Sequence, residues 1–271
     1  MVINMSQTEK VNNPLVSIIT PAYNSERFIG EAIKSVLNQT YSNWEMIIVD
    51  DCSTDHTTEL VASYHHQDPR IKLLKLEENS GPAVARNRAI DEAGGRFLAF
   101  LDSDDLWLPN KLKRQLDFMR RKEVAFSFTE YTRIKEDGEE VLNTVIDAPK
   151  TINYEGLMKH CVIGCLTVMI DTSKTGKVKM INIPSRQDYV LWLTIVKQGF
   201  LAHGLPEVLA KYRIVKDSIS SDKIKMAKQN WKVYRKIEQQ NLAMSAWYFS
   251  HYVLSYVKRY VRSKSDIIKY L

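Results

Sequence analysis

Between residues 15 and about 122, short apolar runs that end in polar residues alternate with amphipathic segments, and this alternation restricts the fold more than any other feature of the chain. It is the pattern of βα units laid into a largely parallel sheet. The first strand is expected from Val16 to Thr20. Ser25 is placed to cap a helix in which Phe28, Ile29, Ala32, Ile33, Val36 and Leu37 recur at helical spacing. Met46 to Val49 reads as the second strand and ends in Asp50 and Asp51. A helix from about Asp55 to Tyr64 leads to a strand from Ile71 to Leu76, and Pro82 opens a helix that Gly94 and Gly95 close. The fourth strand, Phe97 to Leu101, runs straight into Asp102-Ser103-Asp104-Asp105. Pro109 starts a further helix with Leu112, Leu116 and Met119 on one face.

Beyond Val124 the pattern changes. Strands are expected from Val124 to Arg133, Cys165 to Ile170 and Val208 to Ile214, with a turn at Glu136 to Glu139 and a helix within Ile183 to Phe200. The polar stretch Lys216 to Lys225 reads as mobile. A long helical region follows from about Ile224 to Arg262. The expected organisation is a leader at 1–14, a catalytic domain at 15–221 divided into a nucleotide-binding half (15–122) and an acceptor half (123–221), and a helical extension at 222–271.

The first ten residues lack the apolar core of a signal peptide and read as a short disordered leader. No stretch reaches the length of a spanning helix, so the expected location is cytoplasmic, with or without a peripheral contact on the inner face of the membrane. Three cysteines without framework spacing suit a reducing compartment, and Cys161-x-x-x-Cys165 supplies too few ligands for structural zinc. The formal net charge is +6, and many of the extra cations lie after residue 210, which favours an anionic partner near the C-terminus.

In a parallel α/β sheet, ligands bind beyond the carboxyl ends of the strands, where loops vary and helix N-termini point outward. Three polar clusters converge there: Thr20-Pro21-Ala22-Tyr23-Asn24, Asp50-Asp51 and Asp102-x-Asp104. The first holds no glycine, which removes a dinucleotide-binding turn, and no Walker loop is present. Carboxylates beside a pyrophosphate repel it unless a hard divalent cation stands between them, so Asp102 and Asp104 imply Mn²⁺ or Mg²⁺. A strand-ending, helix-capping role is the plain alternative for this pair. Asp51 suits the imide N–H of uracil or thymine, while spacing alone favours an Asx turn or helix cap within residues 51–55. His65 and His66 read as surface residues.

These residues together resemble the family-2 glycosyltransferases of the GT-A fold. The pieces that carry the likeness are VSIITPAYN, the helix ending SVLNQTY, WEMIIVDDCSTD, NSGPAVARNRAI and GRFLAFLDSDD, followed in order by Arg186-Gln187-Asp188-Tyr189, Leu191-Trp192-Leu193 and Tyr212-Arg213. The resemblance implies an α/β GT-A fold, a mostly parallel central sheet flanked by helices, with the C-terminal helical extension outside the match. It implies an inverting transfer of a sugar from a nucleotide-sugar, expected to be a UDP-sugar, to a saccharide or lipid-linked saccharide in surface-polysaccharide synthesis, as in capsule and teichuronic-acid enzymes. Nucleic acid is not among the expected partners. Residue by residue, it places Pro21, Tyr23, Asn24 and Ser103 on the nucleotide and gives Asp51 the base. Arg86 approaches the nucleotide, Asp102 meets the ribose or a metal-bound water, Asp104 ligates Mn²⁺ or Mg²⁺, and Asp188 is the general base.

Read without the family, Asp188 is a residue of a helix N-cap region, since Ser185-Arg186-Gln187-Asp188 precedes an apolar helical face. Arg213 has two readings of equal standing, a clamp on the diphosphate from a closing segment and a cation solvating a strand end. Two rival functions are a sugar-phosphate nucleotidyltransferase, for which the first loop lacks glycine and cations, and a non-catalytic nucleotide-sugar or saccharide-binding module. In the extension, Phe249, Tyr252, Val253, Tyr256 and Tyr260 share one face, and Lys258, Arg259, Arg262 and Lys264 make a basic end. Packing on the catalytic domain or on a second subunit is the first expectation, and an interfacial membrane helix the second.

Overall fold

A computed structural model describes residues 13–142, 144–216 and 222–268, with side chains through residue 255 apart from that of residue 223. Residues 1–12 of the expected leader and residues 217–221 of the polar stretch expected at 216–225 lie outside the described residues. The strands are β1 (Val16–Ala22), β2 (Trp44–Asp50), β3 (Ile71–Lys75), β4 (Phe97–Phe100), β5 (Leu106–Trp107), β6 (Phe126–Ile134), β7 (Thr151–Ile152), β8 (Met169–Asp171) and β9 (Ala202–Arg213). The main helices are α1 (Ile29–Leu37), α2 (Thr57–Gln67), α3 (Pro82–Glu92), α4 (Lys111–Lys122), α5 (Tyr154–Lys159), α6 (Gln187–Lys197), α7 (Lys223–Lys232) and α8 (Leu242–Ile268).

All nine strands join one sheet, in the order β3-β2-β1-β4-β8-β6-β9-β5 with β7 on β9. From β3 to β4 every pairing is parallel, as the βα rhythm of residues 15–122 predicts. The second half mixes directions: β6 pairs parallel with β9, but β8 enters antiparallel between β4 and β6, and β5 and β7 pair antiparallel with β9, so the sheet as a whole is mixed. β1 and β2 are buried at all seven positions because helices cover both faces. Strand alternation divides their side chains. Ile19, Ile47, Val49, Leu98 and Phe100 face a core shared with α3, α5 and α6, while Ile18, Met46, Ile48, Ala99 and Leu101 face α1, α2 and α4.

Three local expectations fail for identifiable reasons. Ser25 does not cap α1 with its side chain; its Oγ bonds within the loop, to Tyr23 and to Ser103. Cys165–Thr167 form a 3₁₀ turn and not the start of a strand, because Thr167 donates both its amide and its hydroxyl to the Gly164 carbonyl, and only Met169–Asp171 join the sheet. The long C-terminal helical region is broken. A π turn at Val233–Ile237 ends α7, and the inward-turned Glu238 accepts a 2.6 Å hydrogen bond from the Tyr154 hydroxyl. Gln239 takes a positive φ of 52°, and the Asn241 side chain accepts the Met244 amide as α8 begins. Among the described residues no helix is long and apolar enough to cross a membrane.

Candidate active site

Because β1, β2 and β4 run parallel, their carboxyl ends open on one edge, and the three polar clusters meet there. Asp102-Ser103-Asp104-Asp105 forms a tight turn in which the Asp105 amide donates to the Asp102 carbonyl. No carboxylate of this turn caps α4, whose N-cap is Asn110, while the turn does end β4. Burial and the Asp102 carboxylate push the half-buried Asp104 carboxyl up to about 6. Burial together with Asp104 and Asp102 also drives the fully buried Asp105 well above the usual range.

The donor set fits a hard divalent cation. Two carboxylates share one turn, and a cation between them removes the repulsion that raises Asp104. Among the described residues no group of three or more His, Cys, Asp or Glu gathers as a closed cage. Mg²⁺-type sites of this kind draw their remaining ligands from substrate phosphate and water.

The loops after β1 and β2 brace each other. Asn24, at a positive φ of 46°, donates its amide to Ser53 Oγ (2.9 Å) and accepts the Thr54 amide on its side chain (2.9 Å). Pro21 is buried in β1 opposite Val49, and Tyr23 stands 48% exposed at the rim. Ser103 is tied to this loop through Ser25 Oγ (2.8 Å). Asp51 is buried, and its two oxygens accept the Ser80 and Gly81 amides, each at 2.8 Å. It thereby fixes the entry to α3, while the turn around residues 50–57 is served by Asp50 and Asp55.

Arg86, on α3, is almost wholly buried and holds Asp102 Oδ1 at 2.5 Å. Burial works against its charge, but Asp102, with further help from Asp188, outweighs it and raises the pKa. Its Nε is buried without a hydrogen-bond partner. Asp188 therefore acts on the same guanidinium as Asp102, although the two are more than 80 residues apart in the chain. It occupies the first turn of α6 but caps nothing: the N-cap position is Arg186, and among the described residues none donates a hydrogen bond to the Asp188 carboxylate. α6 is anchored from behind by Trp192, whose ring centroid is 5.4 Å from both Phe100 and Phe126. Cys165 joins this cluster, its thiol pushed up by burial, with Asp102 adding to the shift.

Arg213 does not solvate the strand end that it occupies. Its side chain is fully buried and spoken for: Nε donates to the Asp104 carbonyl (2.8 Å), one terminal nitrogen to the Glu136 carbonyl (2.9 Å) and the other to Glu31 (2.7 Å). Its amide donates to Asp105 (2.9 Å), and the guanidinium lies over Phe28. In this structure it joins the end of β9 to the acidic turn. Glu31 and Asp105 complete that tie. Asp105 stands in the acidic run and was readable as far as that; Glu31 carries no sequence signal linking it to residue 213.

The profile of Glycosyl transferase family 2 matches residues 17–173. The putative teichuronic acid biosynthesis glycosyltransferase TuaG of Bacillus subtilis (strain 168) is 50% identical over 246 residues, 91% of this chain and 97% of the relative. The UDP-Glc:alpha-D-GlcNAc-diphosphoundecaprenol beta-1,3-glucosyltransferase WfgD of Escherichia coli is 40% identical over 91% of this chain and 95% of its own. In three dimensions, S. aureus TarS 1-349 in complex with UDP-GlcNAc superposes with a TM-score of 0.69 at 22% identity, over 88% of this chain and 71% of that one. The Pyrobaculum calidifontis mannosyltransferase PcManGT, in complex with GDP-Man and Mn²⁺, does so with a TM-score of 0.66 at 17% identity, over 95% and 79%.

Proposed function

The chain belongs to glycosyl transferase family 2 and has its GT-A fold, and on that premise we propose that it transfers a sugar, with inversion, from a UDP-sugar to a hydroxyl of a saccharide or lipid-linked saccharide in surface-polysaccharide synthesis. The observation that carries this reading is that Asp102 and Asp188, from opposite halves of the chain, both bear on the buried Arg86. A donor-side acidic turn and an unengaged carboxylate thus share one site. The 40% identical relative named for UDP-Glc and a lipid diphosphate acceptor, and the 50% identical one named for teichuronic acid, support the substrate classes.

Pro21, Tyr23 and Asn24 line the nucleoside, with Ser103 beside them. Asp51 keeps a lone pair on each oxygen, beyond its two backbone amides, for the imide N–H of uracil. Asp104, with Asp102 directly or through water, holds Mn²⁺ or Mg²⁺, which when bound stabilises the negative charge of the departing diphosphate. Arg86 keeps Asp102 oriented, and Arg213 keeps the turn in place through the Asp104 carbonyl. Asp188 takes the proton of the acceptor hydroxyl as its oxygen attacks the anomeric carbon from the face opposite the diphosphate. One displacement inverts that centre, so an α-linked donor gives a β-glycoside without a covalent intermediate.

The test is nucleoside diphosphate release from UDP-, GDP- and dTDP-sugars with Mn²⁺ or with chelator, in the presence of pooled saccharide acceptors. Acceptor-stimulated release from a UDP-sugar that needs the metal is expected, and it disappears in Asp188→Ala while donor binding survives. Turnover that persists in Asp188→Ala removes Asp188 as base, and turnover in chelator removes the metal.

A further inference from the structure

The C-terminal helix turns a second apolar face to solvent. From Gln239 to Val257 the sequence contains no Asp, Glu, Lys or Arg. On its inward side, α8 buries Ser245 and Tyr248 and sets Phe249 against Trp231, with Tyr248 beside Tyr234. Tyr252, also inward, accepts a 3.0 Å hydrogen bond from Arg186, two residues before Asp188. The outward side exposes Leu242 (64%), Trp247 (52%), Val253 (41%) and Leu254 (55%). A helix that needs one apolar stripe for its own domain therefore carries another that its own domain leaves uncovered.

Charge decides what covers it. Residues 222–271 hold 11 Lys and Arg against 3 Asp and Glu, so the whole positive excess of a chain of net charge +6 lies in this segment. Arg235 and Lys236 precede the uncharged run, and Lys258 and Arg259 follow it. A second copy docked by the same face brings cationic ends together in either orientation, which costs free energy. An apolar stripe containing Trp between cationic ends is what an interfacial helix needs on anionic lipid: the ring and aliphatic side chains enter the acyl boundary and the cations stay at the headgroups.

We propose that α8 seats the enzyme on an anionic bilayer through Leu242, Trp247, Val253 and Leu254, with the acceptor a saccharide carried on a lipid in that bilayer. The assignment of the acceptor rests on the reading of Asp188 as base. The same helix touches lipid on one side and, through Tyr252 and Arg186, holds the start of α6 on the other. One helix diameter, about 10 Å, then separates the headgroups from the residues that position the base.

The full chain is mixed with phosphatidylcholine vesicles and with vesicles that also contain phosphatidylglycerol, and binding is read by co-sedimentation and tryptophan emission. Trp44, Trp107 and Trp192 are buried and Trp231 is half-buried, so a blue shift reports Trp247. Binding to the anionic vesicles alone, weakened by salt, with that blue shift, is the expected result. Both Trp247→Gln/Leu254→Gln and Lys258→Glu/Arg259→Glu are expected to bind about tenfold more weakly, with the circular dichroism spectrum and activity on a water-soluble acceptor unchanged. A folded wild type that ignores anionic vesicles overturns the proposal. So does a dimer in solution that the apolar substitutions dissolve without any vesicle binding, which assigns the face to a second copy. Vesicle binding is read without donor or acceptor, so its failure leaves transfer to a soluble acceptor intact, and failure of transfer leaves the docking intact.

Discussion

Asp102 and Asp104 sit in a turn tied at short range on every side, whereas Asp188 sits at the tip of a helix held from behind. The turn is fixed by Arg86 from α3, by Ser25 from the first loop and by the buried Arg213 from β9. The Asp188 end depends on Trp192 wedged against the sheet and on Arg186, which reaches Cys161 and the C-terminal helix. On the proposed roles, the donor side is built before any ligand arrives, and the acceptor side inherits its position from packing at a distance.

Four measurements break or sharpen this contrast. The largest effect is expected from Asp188→Ala: a fall in kcat of about 10²–10⁴-fold, the usual worth of a general base, with donor affinity by calorimetry unchanged. Loss of donor affinity in that variant collapses the distinction between the two sides. Next comes Arg213→Met, which leaves Glu31 and the carbonyls of Asp104 and Glu136 without their donor. A loss of about 3 kcal/mol in chemical denaturation is expected, with weaker Mn²⁺ binding in whatever remains folded. Unchanged stability would falsify the role of Arg213 as the tie.

Tyr252→Phe acts on the other side and gently. Removing the hydroxyl that Arg186 donates to is expected to cost about 1 kcal/mol in kcat, with the KM for donor unmoved; a change in donor KM alone contradicts the coupling of α8 to α6. The smallest effect concerns pH. Asp104 has its pKa raised to about 6, so without metal its contribution to stability is full below the ordinary carboxylate value and is lost as pH rises through about 6. Mn²⁺ binds the carboxylate form and reverses this. The gain in Tm on adding Mn²⁺ is therefore expected to grow between about pH 5 and about pH 7.5, and a gain independent of pH removes Asp104 from the metal site.

How far the sequence could be read follows the same division. The parallel half was legible because its strands are short continuous apolar runs and each ends in polar residues, so Asp51, Asp102 and Asp104 are found at one edge by strand logic alone. Asp188 was not legible that way. It stands at a helix start like any other acidic residue, and only the ordered match to the family, and then the coupling to Arg86, sets it apart. Arg213 was ambiguous because its destination depends on Glu31, Asp105 and Glu136, none near it in the chain. The break after Val233 was missed because an inward Glu238, paired with Tyr154 and Lys197, interrupts what looks locally like uninterrupted helix.

Arg186 has a further consequence through its backbone. Its φ of 70° lies in the left-handed region, where a side chain costs about 1–2 kcal/mol that glycine does not incur. Replacing it by glycine therefore relaxes the main chain at the moment it deletes the link to Tyr252. At this one position comfort and competence are opposed: Arg186→Gly yields an enzyme whose fold is content and whose acceptor side has lost its tether.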